Sequence, residues 1–124
     1  MLHPNLGFVL LFVSNPVISS RFYSQILDLK PIEESSTFAL FALKNGVMLG
    51  LWSRETAQPT VHGQPGSSEI CFGENRVDEL YDQWVKNGIS MAQQPTDMDF
   101  GRTFVALDPD GHRIRIYKLH EQTI

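Results

Sequence analysis

Short apolar runs and two segments with helical spacing follow one another twice along the chain, in the same order. Gly7–Ser14 is almost entirely apolar, which predicts a strand covered on both faces. Asn15 followed by Pro16 is typical of a helix start, because asparagine can cap the first turn and proline fits its first position. Apolar residues then recur at helical spacing, so we expect a helix over 16–28. These residues are Ile18, Phe22, Tyr23, Ile26 and Leu27.

Three further strands complete this first half. Their predicted ranges are Lys30–Glu33, Thr37–Leu43 and Val47–Trp52. Asn45-Gly46 lies between the last two strands, and both residues tolerate the positive φ of a tight hairpin turn. Residues 54–66 contain two prolines and two glycines, and we interpret them as a linker.

The second half repeats the pattern. Ser68–Gly73 predicts a strand, and Asn75 a cap for a second helix that Asn87-Gly88 ends. The apolar positions of this helix form one stripe, which consists of Val77, Leu80, Tyr81, Trp84 and Val85. The remaining strands are expected at Ile89–Gln93, Arg102–Leu107 and His112–Leu119. Thr96–Asp99 is interpreted as a polar loop, and Asp108–Gly111 as a type I turn.

The order strand, helix and three strands therefore occurs twice. Thr37-Phe38-Ala39 corresponds to Thr103-Phe104-Val105, so the repeat is visible in residues as well as in elements. Each copy is too small to bury its own sheet face. We therefore expect one α+β domain over 1–124, in which two βαβββ modules, 6–53 and 67–119, form a curved mixed sheet around a concave cavity.

Composition narrows the classes of function. Apolar residues make up 42% of the chain and charged residues 19%, as in an ordinary globular protein. The net charge of −4 argues against nucleic acid as a partner. The single cysteine, Cys71, excludes an internal disulfide and a cysteine-based zinc site. The most apolar run, Phe8–Val13, is too short to span a bilayer and lacks the flanks of a signal peptide, so we expect a soluble, cytoplasmic protein.

A duplicated βαβββ unit resembles the vicinal-oxygen-chelate superfamily, which includes glyoxalase I, the extradiol dioxygenases and the bleomycin-binding proteins. The resemblance covers almost the whole chain. It rests on Ser14-Asn15, Phe22-Tyr23, Leu51–Ser53, Phe100–Phe104 and Asp108–His112. The last three segments are most similar to the phenazine-antibiotic resistance proteins of this superfamily, which implies a binder rather than a catalyst. The superfamily also implies a homodimer.

The resemblance implies where a divalent metal would be held. The superfamily's ligand positions fall at Phe8, Gly50, Glu69 and Arg115. Only Glu69 can donate a lone pair, and a permanent guanidinium repels a dication, so we expect neither a metal nor another cofactor. Positions that converge on one ion lie close together, so Glu69 and Arg115 are predicted to pair across the cavity floor. The alternative is that one or both side chains point to solvent.

Strand alternation places two rows of side chains on the concave face. One row is Met48, Gly50 and Trp52, and the other is Arg113, Arg115 and Tyr117. Gly50 is expected to leave an open slot beside Trp52, and an indole next to a polarizable methionine suits a flat aromatic molecule. The alternative is that Trp52 seals the end of the core.

Arg102, Trp84, Cys71 and the histidines have simpler interpretations. Arg102 either binds a carboxylate of the ligand or pairs with Asp97 or Asp99 at the surface. Trp84 is expected in the core, and Cys71 as a small buried hydrophobe. No two histidines have metal-ligand spacing on one element.

These observations favour metal-free binding of a planar aromatic small molecule, such as a phenazine-type antibiotic. The predicted ligand-binding residues are Phe8, Met48, Gly50, Trp52, Glu69, Arg102, Arg115 and Tyr117. Two alternatives stay open: a metal-dependent lyase, isomerase or thiol transferase of the glyoxalase kind, and an interaction module whose cavity is filled by its own side chains.

Overall fold

Each half of the chain folds as a strand, a helix and three strands in the computed structural model, which describes residues 2–121. The first half contains β1 (Phe8–Val13), α1 (Pro16–Leu27), β2 (Glu33–Glu34), β3 (Phe38–Ala42) and β4 (Met48–Ser53). The second half contains β5 (Glu69–Gly73), α2 (Val77–Lys86), β6 (Met91–Met98), β7 (Gly101–Leu107) and β8 (Arg113–Leu119). The predicted α+β class and the duplicated βαβββ order are confirmed.

Each half has its own four-stranded mixed sheet. The strand order is β1-β4-β3-β2 in the first half and β5-β8-β7-β6 in the second. In both sheets the first strand pairs in parallel with the last strand of its module, and the other pairs are antiparallel. The chain divides into two compact units between Gly63 and Gln64. We call the first unit module one and the second module two.

Helix α1 begins as the sequence predicts, but it buries a different face. The Oδ1 atom of Asn15 accepts hydrogen bonds from the N–H groups of Val17 (3.1 Å) and Ile18 (3.3 Å). The helix ends at Leu27, where Asp28 turns left-handed with φ of 52°. Its buried residues are Pro16, Ser19, Ser20 and Tyr23. Of the five apolar residues at helical spacing only Tyr23 is buried, because the two small serines allow the helix to pack closely.

Helix α2 begins without the predicted asparagine cap. The capping position is Arg76, and it makes no side-chain capping bond, so the prediction for Asn75 is wrong. Glu74 accepts a hydrogen bond from the Arg76 N–H instead (3.1 Å). Trp84 is buried and packs edge-to-face on Phe104 with the ring centres 5.4 Å apart, which confirms its place in the core. Of the predicted stripe, Val85 is 46% exposed.

Strand β6 is longer than predicted. It continues through most of Thr96–Asp99, the predicted loop, because its last residues pair with the start of β7. The turn between the two strands ends at Gly101, whose φ is +153°. A Cβ at Gly101 would overlap the Lys118 carbonyl oxygen, so only glycine fits there. Strand β2 comprises only Glu33–Glu34.

The two predicted tight turns are confirmed. Gly46 has φ of +86° between β3 and β4, and the Leu43 N–H donates to the Val47 carbonyl (3.0 Å). Between β7 and β8, the Gly111 N–H donates to the Asp108 carbonyl (3.0 Å). Within residues 2–121, no helix has the length and apolar character needed to cross a membrane.

The sheet of module one is buried on one face only. Leu11, Val13, Leu49 and Leu51 point to the face that packs against α1, and all four are buried. On the other face Phe8 is 55% exposed and Leu10 39% exposed. The prediction that this strand is covered on both faces is therefore wrong for the single chain, and an apolar face of module one is open to solvent.

Candidate functional site

The open face of module one carries an apolar groove of about 500 Å³. Its lining residues are Phe8, Leu10, Phe38 and Trp52. They meet because Leu10 faces Gly50 and Phe38 faces Trp52 across adjacent strands, and residues two apart on a strand share a face. We call this feature the aromatic groove. Its lining offers apolar and aromatic surface, which suits a flat ring system.

Trp52 is held in place by two other rings. Phe12 lies 6.2 Å away between ring centres, tilted by 34°, and Phe38 lies 6.4 Å away at 90°. Both separations fall within the range of favourable aromatic pairs. Trp52 itself is half-buried, so part of its side chain stays accessible at the groove. The indole is therefore prepositioned beside open space.

Gly50 does not leave the open slot that its sequence position suggests. A Cβ built on it would lie 2.6 Å from Cδ2 of Leu10 and 3.2 Å from Cε1 and Cζ of Phe38. The space beside Gly50 is thus filled by these two side chains, and the prediction is wrong. Met48 lies on the same face and pairs with Phe8, but it is outside the groove lining.

The matching face of module two is charged. Arg115 donates from Nε to Oε2 of Glu69 (2.8 Å) and from Nη2 to Oε1 (3.1 Å), so the predicted pair is confirmed and is bidentate. Nη1 of Arg115 donates to Gln93 (3.2 Å) and to the Thr103 hydroxyl (3.1 Å). The side chains of Arg115 and Glu69 are 15% and 22% exposed. This guanidinium is therefore fixed by its protein partners.

A second guanidinium, that of Arg113, also pairs with Glu69. Two guanidiniums and one carboxylate leave the cluster with one positive charge. Within residues 2–121, the Nε atom of Arg113 is buried and has no hydrogen-bond partner. The Phe100 ring lies 6.0 Å from the guanidinium carbon of Arg115, at the limit of a cation–π contact. We call Glu69, Arg113 and Arg115 the guanidinium cluster.

The cluster shifts the ionisation of its members. The hydrogen bond from Arg115 is the main reason that the pKa of Glu69 lies below its usual value, with further lowering by the charge of Arg113. The same bond raises the pKa of Arg115.

Cys71 is exposed rather than buried, so its predicted role in the core is wrong. Partial desolvation and the nearby Glu69 raise the pKa of the Cys71 thiol, which makes it a poor nucleophile at neutral pH.

Arg102 lies apart from the cluster. It alternates with Thr103 along β7 and therefore points to the helix side of the sheet. It donates to both oxygens of Asp78 on α2 (3.0 and 2.9 Å) and pairs with Asp97 (3.3 Å). The predicted surface pairing with Asp97 is thus present, and Asp78 is an additional partner. Tyr117 shares the face of Arg115, and its ring lies beside Gly73.

The positions that hold a metal in the superfamily do not fit one in this chain. Phe8 and Gly50 have no donor atom, and Arg115 carries a permanent positive charge. Both oxygens of Glu69, the remaining candidate, are bound by guanidiniums. A catalytic metal normally needs three protein ligands and an open position. At Glu69 and Arg115, two of the four positions, the side chains form an ion-pair cluster instead of a set of metal donors.

A group of ligand-type side chains lies at the turn before β8. Potential donor atoms of Asp108, Asp110 and His112 lie within 4.8 Å of one another. Oδ1 of Asp108 accepts from the N–H groups of Asp110 (2.9 Å) and His112 (2.8 Å), and Oδ2 lies 2.9 Å from Nδ1 of His112. The buried Asp108 carboxylate thus organises the turn backbone.

Four residues of these two faces were not predicted. They are Leu10 and Phe38 in the aromatic groove, and Gln93 and Thr103 beside Arg115. Alternation along β1 gives a signal for Leu10, which lies two positions from Phe8. Gln93 gives none, because the strand pairing is irregular between Met91 and Thr96.

Comparison with known proteins identifies the class. Residues 5–116 match the model of the Glyoxalase/Bleomycin resistance protein/Dioxygenase superfamily, and the chain belongs to this superfamily. It is 34% identical over 123 residues to the phenazine antibiotic resistance protein EhpR of Enterobacter agglomerans, covering 94% of this chain and 92% of that protein. The resemblance predicted from the sequence motifs is confirmed.

Solved structures support the fold. The solution structure of protein ATC0852 from Agrobacterium tumefaciens is 44% identical, with a TM-score of 0.85, and the match covers 98% of this chain and all of that one. A glyoxalase-related enzyme from Fulvimarina pelagi is 20% identical, with a TM-score of 0.82, over 94% of this chain and 88% of that chain. At that identity the second likeness concerns the fold alone.

Proposed function

We propose that this protein binds a planar aromatic small molecule of the phenazine type without a metal, and that it gives resistance by sequestering the compound. The observation that carries the proposal is the aromatic groove, in which an accessible indole is held beside open apolar space. The 34% identity to a phenazine antibiotic resistance protein supports the ligand class. Sequestration requires affinity and abundance, and no bond in the ligand needs to change.

The energetics suit such a ligand. Burying a fused ring system against four apolar side chains removes apolar surface from water, worth about 25 cal/mol per Å² before the cost of association. A ring stacked on Trp52 adds about 1 kcal/mol beyond burial. Because two neighbouring rings already hold Trp52, little side-chain freedom is lost on binding. A micromolar dissociation constant, about −8 kcal/mol, is a reasonable expectation.

We propose that the guanidinium cluster of module two is a separate cationic site for an acidic group. The guanidinium of Arg115 donates hydrogen bonds to Glu69, Gln93 and Thr103, and these bonds hold the cluster in place. The remaining positive charge lies with Arg113, whose Nε has no hydrogen-bond partner among residues 2–121. We therefore assign to Arg113 the binding of an acidic group at this cluster. We also propose, from the resemblance, that the protein works as a cytoplasmic homodimer, which sedimentation equilibrium and fractionation would test.

The test is a calorimetric titration of the folded full chain with phenazine. We expect Trp52→Ala to weaken binding at least about fivefold, which corresponds to the loss of one aromatic stack. Ile18→Ala is the matched control, because Ile18 is 51% exposed on α1 and lies away from the groove. It should bind like the wild type. A folded wild type that gives no heat at micromolar phenazine would disprove the proposal.

A second arm tests the guanidinium cluster with phenazine-1-carboxylate, a compound that carries an acidic group. Arg113→Gln should weaken binding of the carboxylate several-fold and leave binding of neutral phenazine unchanged. Lys118→Gln is the control, since Lys118 is an exposed cation of the same strand on the opposite face. Equal losses for both compounds would show that Arg113 contributes to folding or to the field of the site rather than to recognition of the acid.

A further inference from the structure

Gly50 lies beneath the aromatic groove, between β1 and β3. It faces Leu10 on one side and Leu40 on the other, and it is buried although it has no side chain. A Cβ at this position would lie 2.6 Å from Leu10 and 3.2 Å from Phe38, closer than the roughly 3.5–4.0 Å of carbon atoms in contact. The side chains of Leu10 and Phe38 therefore rest directly on the Gly50 backbone.

These two side chains can yield only toward the groove. The opposite face of the sheet is closed by the buried Leu11, Leu49 and Leu51. Leu10 is 39% exposed, so its outer side is free to move. A methyl group on residue 50 would push Leu10 and Phe38 outward and fill part of the space that they now line. Phe38 also packs edge-on against Trp52, so its displacement would disturb the indole.

We infer that Gly50 is a positioning residue that sets the depth of the aromatic groove and selects a flat, uncharged ring face as its occupant. The selection follows from the lining: every side chain around the groove is apolar, so a charge that entered would lose its hydration without a partner. The ligand part of this inference rests on the proposed function; the packing part does not.

The binding arm compares Gly50→Ala with Gly73→Ala. Gly73 is the matched control, because a Cβ there would meet Tyr117 at an ordinary 3.7 Å. We expect Gly50→Ala to weaken phenazine binding at least about fivefold and Gly73→Ala to leave it within about twofold. Adding Leu10→Ala to Gly50→Ala should restore most of the affinity lost, because it removes the nearest atom that the new methyl meets, Cδ2 of Leu10 at 2.6 Å. Unfolding curves of all variants confirm that each is folded.

The packing arm needs no ligand. Methyl NMR of the wild type should show contacts between the Leu10 methyls and the α-protons of Gly50, and these contacts should be lost in Gly50→Ala. Leu10 held in place in that variant would overturn the inference. So would unchanged phenazine affinity in Gly50→Ala, or the absence of rescue by Leu10→Ala. If the wild type does not bind phenazine, the proposed function fails instead, and the packing arm alone decides the role of Gly50.

Discussion

At the scale of single residues, Glu69 has the most unusual surroundings in the described chain, because two guanidiniums share its carboxylate. Removing this group would leave two cations close together without their common partner. The loss of one partner from such a cluster is costlier than the loss of an exposed ion pair. Glu69 therefore offsets the charge of the two guanidiniums that strand alternation places side by side on β8.

Glu69→Gln should lower the free energy of unfolding by about 1–3 kcal/mol at pH 7. Because the pKa of Glu69 is lowered in the folded state, its carboxylate stabilises the fold fully above the ordinary value of 4.5. That contribution is lost as the pH falls from 4.5 through the folded-state pKa. The difference between wild type and variant should therefore shrink on acidification. Urea unfolding between pH 7 and pH 3 measures it.

Glu55→Gln is the control for this series, since Glu55 is an exposed residue of the loop after β4. It should change stability by less than about 0.5 kcal/mol at any of these pH values. A difference for Glu69→Gln that stays constant with pH would mean that the carboxylate charge contributes nothing and that only the hydrogen-bond geometry matters.

The sequence could predict the Glu69–Arg115 pair because two positions assigned to one site must converge, whatever side chains they carry. It could not predict how Gly50 is used. A glycine in a strand is compatible with an open slot or with close approach of a neighbour, and only the side-chain conformations of Leu10 and Phe38 distinguish them. The exposure of Cys71 was missed for a similar reason, since it depends on which face of the sheet stays open.

At the scale of elements, the two helices test capping with the same residue type. Asn15→Ala should destabilise the protein by about 1 kcal/mol, because Asn15 accepts two backbone hydrogen bonds at the start of α1. Asn75→Ala should be nearly neutral, because Asn75 does not cap α2. Thermal unfolding of both variants checks this contrast. A comparable loss for Asn75→Ala would contradict the capping geometry described for α2.

Periodicity located both helices, but it assigned the wrong face to α1. The method assumes that apolar residues are buried and polar ones exposed, whereas Ser19 and Ser20 are buried and Ile18 is half exposed. The predicted length of strand β6 was too short because the second half of the strand is polar. Its pairing with β7 comes from backbone hydrogen bonds, which the side-chain pattern does not record.

At the scale of the whole molecule, the donor set predicts that binding is independent of metal. Dialysis against EDTA should leave phenazine affinity and melting temperature unchanged, because Glu69 is engaged by guanidiniums and the other inherited positions lack donors. Elemental analysis of protein purified without chelator provides the control. A stoichiometric metal whose removal abolishes binding would instead favour the metal-dependent alternative.

The duplicated order of elements was predictable from the whole sequence because turn signals separate the apolar runs at matching places in both halves. Equivalent strand positions could also be aligned, since the repeat fixes register. The sequence also showed that the two halves differ in polarity, because apolar residues occupy one set of equivalent positions and arginines the other. The sequence did not show which of these side chains contact one another, because their packing decides this.

The two modules share a pairing scheme, with Phe8 opposite Met48 in one and Glu69 opposite Arg113 in the other. The residues of the aromatic groove and those of the guanidinium cluster are therefore encoded by separate stretches of the gene. A mutational library restricted to the codons of β1, β3 and β4 would change the side chains around the aromatic groove and leave the guanidinium cluster unchanged. Each face can thus be altered by mutation without changing the residues of the other.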